Sequence, residues 1–91
     1  MSSIINLENL GVDIKKYNLG NGDISCIIDS ETAEMHIFYK NGSKNMAISS
    51  ATYEPPVGQG IDIYTAEDLM HKKSLAEFLL ERAEEKMWEI C

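Results

Sequence analysis

Proline, cysteine and tryptophan are all scarce in this chain of 91 residues, which has two, two and one of them. The two cysteines, Cys26 and Cys91, have neither disulfide-framework nor metal-site spacing. A reducing cytoplasm is the natural setting for such a chain. No stretch approaches the roughly 20 apolar residues of a membrane span. The opening MSSIINLENLGVD lacks a basic start and a sustained apolar run, so no signal peptide is expected. Basic residues are short as well: eight Lys and Arg stand against fifteen Asp and Glu, a net charge of −7. That shortage disfavours direct binding to nucleic acid, which needs clustered cations to release counterions. It equally disfavours anionic membrane surfaces. It suits docking on a basic protein surface.

What is present is ordinary for a folded domain. Hydrophobic residues make up 44% and charged residues 25%, too apolar for disorder. One domain spanning 1–91 is expected, with an adequate but thin core. No internal repeat and no low-complexity tract interrupts it.

The strongest local signal is AEMHIFYKNGSKNMAIS. Asn41-Gly42 is a preferred pair for a two-residue hairpin turn in which both central residues take positive φ. That turn sets Tyr39 opposite Lys44, Ile37 opposite Met46 and Met35 opposite Ile48. Met35, Ile37, Met46 and Ile48 then share one face, with His36, Phe38, Asn45 and Ala47 on the other. Upstream, DISCIID alternates Ile24, Cys26 and Ile28 with Ser25, Ile27 and Asp29, which reads as another strand. DSETA and LGNG are turns, and VDIKKYNL is a less secure strand. Residues 1–10 read as a short helix, since Ser2 and Ser3 can cap and Ile4, Ile5, Leu7 and Leu10 recur within two turns. An extended arm is the alternative.

After YEPPVGQG the chain turns helical, with IDIY a candidate short strand just before. Thr65-Ala66-Glu67-Asp68 resembles a capping box and Ser74-Leu75-Ala76-Glu77 is a proper one. Two boxes nine residues apart suggest a short helix, a bend near residue 73, and a longer helix from about Leu75 to Ile90. Leu75, Ala76, Leu79, Ala83, Met87 and Ile90 form its apolar stripe. An unbroken helix would put Lys72 in that stripe, and a snorkelling Lys72 is the alternative to the bend. The expected fold is therefore α+β: an antiparallel meander of three or four strands, packed on one face by a C-terminal helix.

Catalytic groupings do not emerge. His36 and His71 belong to different elements, and Glu34 beside His36 is too few ligands for a zinc site. Cys26 sits mid-strand, where a buried thiol is inert. GNG and GQG lack the lysine and the strand-to-helix setting of a phosphate loop. No enzyme, cofactor or metal is expected, and no motif points to a particular family.

The more informative anomaly is on the last helix. Phe78 and Trp88 lie on the side away from the stripe, about 140° from its centre. Their neighbours are Glu77, Glu81, Glu84 and Glu85. An amphipathic helix needs only one apolar face, so a second one carrying aromatics suggests a partner surface, with tryptophan a frequent interface anchor. The competing account is that Ile4 to Leu10 fold over and cover one aromatic. Pro55-Pro56 ends the last strand, while Gly58 and Gly60 restore freedom before the helix. As a connector that loop is long, and Tyr53, Pro55, Pro56 and Val57 are its contact candidates.

The leading expectation is a small, acidic, cytoplasmic, non-enzymatic module. It would occupy a basic, nucleic-acid-binding surface of a larger protein, as an inhibitor from a phage or mobile element would. A homodimer pairing through the helix and a small enzyme or ligand binder using the 53–60 loop with His36 are the alternatives. The acidity is spread out. Residues 1–64 carry four basic and eight acidic side chains, and residues 65–91 carry four and seven.

Overall fold

The computed structural model describes residues 2–54 and 65–90, apart from the side chains of 2 and 88–90. Four strands follow one another: β1 (Ser2–Ile5), β2 (Asp23–Asp29), β3 (Glu34–Asn41) and β4 (Lys44–Thr52). They form one antiparallel sheet in the order β1-β2-β3-β4. One long helix, α1 (Ala66–Ile90), follows and packs on β3 and β4. The molecule is the α+β meander-and-helix expected from the sequence. None of the described helices is long and apolar enough to cross a membrane.

Alternation decides which sheet face is covered. Cys26, Ile28, Met35, Ile37 and Tyr39 point inward and are buried. Ile27, His36 and Phe38 point to the opposite face and are half-buried. Against the inward face α1 sets Ala76, Leu79, Leu80, Ala83 and Met87, all buried. The loop between β1 and β2 adds Leu7, Val12 and Leu19 to the same core, with Leu10, Ile14 and Tyr17 packed against it.

The N-terminus departs from the expected helix. Ser2–Ile5 is a strand whose Ile4 and Ile5 stand opposite Ile27 and Cys26. β2 offers a free edge there, and the β-branched Ile4-Ile5 step suits a pleat better than a helix. Asn6 then stops the strand, its side chain accepting from the N–H groups of Glu8 and Asn9 at 3.0 and 3.3 Å. VDIKKYNL is no strand either. Asp13 accepts from the Lys15 N–H at 3.2 Å, and residues Ile14–Lys16 make a single 3-10 turn. Such local side-chain bonds compete with ladder formation.

The hairpin lies where expected, with a different register. Asn41 pairs with Lys44, so Gly42 and Ser43 are the turn residues. Gly42 has φ +63°, while Asn41 is not among the residues with positive φ. A glycine at the first of two turn positions meets the II′ requirement. Tyr39 therefore faces Met46, in place of Ile37. Between Phe38↔Ala47 and Ile37↔Ser49 the register shifts, leaving Ile48 as the extra residue of a bulge. Ile48 is buried, and Met46, near the hairpin end, stays 36% exposed.

Helix α1 is continuous. Asp68 donates its N–H to Thr65 Oγ1 at 3.2 Å, so Thr65 is the cap. Ser74 lies exposed in mid-helix and caps nothing. No bend is needed at Lys72, because its charge is met inside the protein. Lys72 and Asp68, one turn apart, are an ion pair with both side chains fully buried. Ile61–Tyr64, the candidate strand before the helix, lies outside the described residues.

Candidate functional site

The outward face of α1 is built by helical phase. With Ala76, Leu79, Leu80, Ala83 and Met87 turned inward, Phe78, Glu81 and Glu85 must turn outward. Phe78 is 47% exposed and Met70, eight residues earlier, is 69% exposed. Glu81 and Glu85 are exposed beside Phe78. The Arg82 guanidinium lies over the Phe78 ring, 5.6 Å from its centroid. That is a cation–π contact, and it holds the ring in place without covering it. The i,i+4 spacing of Phe78 and Arg82 was the sequence signal for this contact.

Glu77 and Glu84 belong to the flank of α1 turned toward the β1–β2 loop, and both are half-buried. Glu84 Oε2 accepts the Asn18 N–H at 2.6 Å. Tyr17 sits close enough to feel Glu77, Glu81 and Glu84. Its hydroxyl is pushed above the usual tyrosine range, first by burial and then by these carboxylates. Residues around 17–18 thus lean on this flank. The four glutamates divide: Glu77 and Glu84 line the loop contact, Glu81 is exposed yet within reach of Tyr17, and Glu85 is exposed on the outward face.

Tyr53 is placed in the interior, only 2% exposed. Its hydroxyl donates to Asp68, and the Lys72 ammonium lies 5.0 Å from its ring centroid. Burial and the Asp68 carboxylate both raise its pKa. Tyr53 therefore gives the 53–60 loop no exposed aromatic. Pro55, Pro56 and Val57 lie outside the described residues. So does the side chain of Trp88, whose backbone belongs to the last turns of α1.

His36 stands on the open face of the sheet beside Phe38, ring centroids 6.0 Å apart. Its ladder neighbours are Ile27 and Ser50, which offer it no acid or base partner. Among the described residues, no three His, Cys, Asp or Glu side chains are grouped to hold a metal ion. Cys26 is fully buried, and burial pushes its thiol up to about 12. A thiol so placed is no nucleophile at neutral pH. The outward face of α1 carries one ordered aromatic ring, an exposed methionine and two exposed carboxylates.

Compared with known proteins, the chain matches no family model, no curated protein and no solved structure.

Proposed function

We propose that the protein is a small acidic binding module, not an enzyme, that works in the cytoplasm by seating the outward face of α1 on a basic surface of a larger protein. The observation that carries this reading is Phe78, half-exposed and held by Arg82, with Glu81 and Glu85 exposed on the following turns of the same face. Removing an aromatic ring from water supplies affinity, and the carboxylates steer the approach toward cations. The net charge of −7 adds a long-range attraction to the same partners. A protein that grips nucleic acid presents such a surface, and a module covering it is an inhibitor of the kind phages and mobile elements encode.

The test is capture of partners by the wild-type chain and by Phe78→Ala, Trp88→Ala and the Glu81→Lys/Glu85→Lys double variant. The captured protein is then titrated against each. A basic partner whose affinity drops at least tenfold in Phe78→Ala and in the double charge reversal supports the reading. Undiminished affinity in all three variants ends it. Light scattering on the same samples separates the competing arrangement. A doubled mass that Phe78→Ala abolishes would assign the face to a second copy of the chain.

A further inference from the structure

The chain carries fifteen acidic side chains for eight basic ones, and two of the basic ones, Arg82 and Lys86, stand together at one groove. Lys72 is taken by Asp68. Arg82 and Lys86 are not taken: among the described residues neither pairs with a carboxylate. They stand one helical turn apart on the flank of α1 that faces β4. Like charges at this spacing repel.

Both cations converge on one place. Together with Ala47, Ile48, Ser49 and Ser50 they line a groove of about 300 Å³. The groove lies at the bulge, where the β3–β4 ladder changes register. The Ser49 hydroxyl is buried at this point with no hydrogen-bond partner among the described residues. Among the described residues β4 is an edge strand, and no further strand pairs with its outer backbone groups. A further strand is a poor occupant, because a bulge breaks the even spacing that pairing needs and cations discourage it. A compact anion has no such requirement.

We propose that this groove is a binding site for an oxyanion, a phosphate or carboxylate group carried by a small molecule. The Arg82 guanidinium supplies a planar fork of donors and Lys86 a second positive charge. The Ser49 hydroxyl stands at its wall, since Ser49 pairs with inward-facing Ile37. The site is separate from the outward face of α1 but shares Arg82 with it. An anion that draws the guanidinium into the groove alters the surroundings of the Phe78 ring.

The experiment is NMR titration of the full chain with inorganic phosphate and, separately, with acetate, at ionic strength held constant with chloride. Saturable shifts are expected at the amides of Ala47 to Ser50, at the Arg82 side-chain N–H and at the Phe78 ring. Tighter binding of phosphate assigns a phosphorylated ligand, and tighter binding of acetate a carboxylate. Arg82→Gln and Lys86→Gln each weaken binding about tenfold. Lys44→Gln, on β4 but outside the groove, leaves it unchanged. Arg82 and Lys86 are exposed, so both variants retain the native amide spectrum. Shifts that never saturate, or an unchanged titration in the Arg82→Gln/Lys86→Gln double variant, overturn the proposal.

Discussion

The hydroxyl of Tyr53 donates to one carboxylate oxygen of Asp68 at 2.5 Å, while the other oxygen of that carboxylate is paired with Lys72. Tyr53 enters from the end of the sheet, and Asp68 and Lys72 from the first turns of α1. The interaction ties the two layers together and brings an ionised pair into the core. Its worth lies in completeness, since each member satisfies the next.

Removing one member leaves an uncompensated buried charge. Asp68→Ala or Lys72→Ala is expected to cost about 3–5 kcal/mol. The triple variant Tyr53→Phe/Asp68→Leu/Lys72→Met removes all the polar groups together and regains most of that loss. Urea unfolding of the three proteins checks this. Equal losses in the single and triple variants would refute the coupling.

Stability is expected to fall in alkali. Cys26 is raised from 9.0 to about 12, and Tyr53 is raised above its ordinary value of 10.0. Folded, both groups hold their protons; unfolded, they release them at lower pH. Their stabilising contribution is complete below about pH 9 and is lost as pH climbs through the folded pKa values. Urea midpoints between pH 8 and 11 should decline, and more gently in Cys26→Ala. Native Cys26 should also resist a thiol reagent at pH 8 that labels it once the chain is unfolded.

Gly22 is expected to tolerate no side chain. A methyl group there meets the Tyr39 ring and comes within 2.6 Å of the Lys40 carbonyl oxygen. Tyr39 is buried and cannot swing clear, so Gly22→Ala should destabilise by about 1–3 kcal/mol. Gly42 is the contrast. A methyl there meets nothing within 4 Å, and only its φ of +63° resists substitution. Asparagine tolerates that φ, so Gly42→Asn should change stability by less than about 1 kcal/mol. Thermal melts of the two variants decide the point.

Phe78→Ala should leave stability within about 0.5 kcal/mol of wild type, because the ring is half-exposed on the outward face. Loss of partner affinity in that variant would then report the surface and not the fold. A drop of several kcal/mol would mean that the ring supports the core.

The sequence carried the fold class because two periodicities were clear: alternation in DISCIID and around the hairpin, and a 3.6-residue stripe after residue 74. It did not carry the pairing partner of Ser2–Ile5. Two adjacent isoleucines fit either period over so short a stretch, and the free edge of β2 lies some twenty residues away. The hairpin register turned on which residue accepts positive φ, and a bulge at Ile48 leaves no pattern in composition. The continuity of α1 was legible in principle. Asp68 and Lys72 are an i,i+4 pair of opposite sign, and that is what lets a lysine occupy an apolar stripe. On the outward face, phase alone placed Phe78 and the glutamates. The division between Glu84 and Glu85 depends on Asn18, a contact spanning 66 positions that no local pattern encodes.

Because the strands are ordered as they occur in the chain, assembly of the sheet resembles closing a zip. The two-residue link between β3 and β4 gives the shortest loop to close, and β2 follows through a short connection. β1 must wait for a longer excursion to return. The arrival of α1 across the finished hairpin is then expected to set the rate, since β3 and β4, on which it packs, lie well before it in the chain.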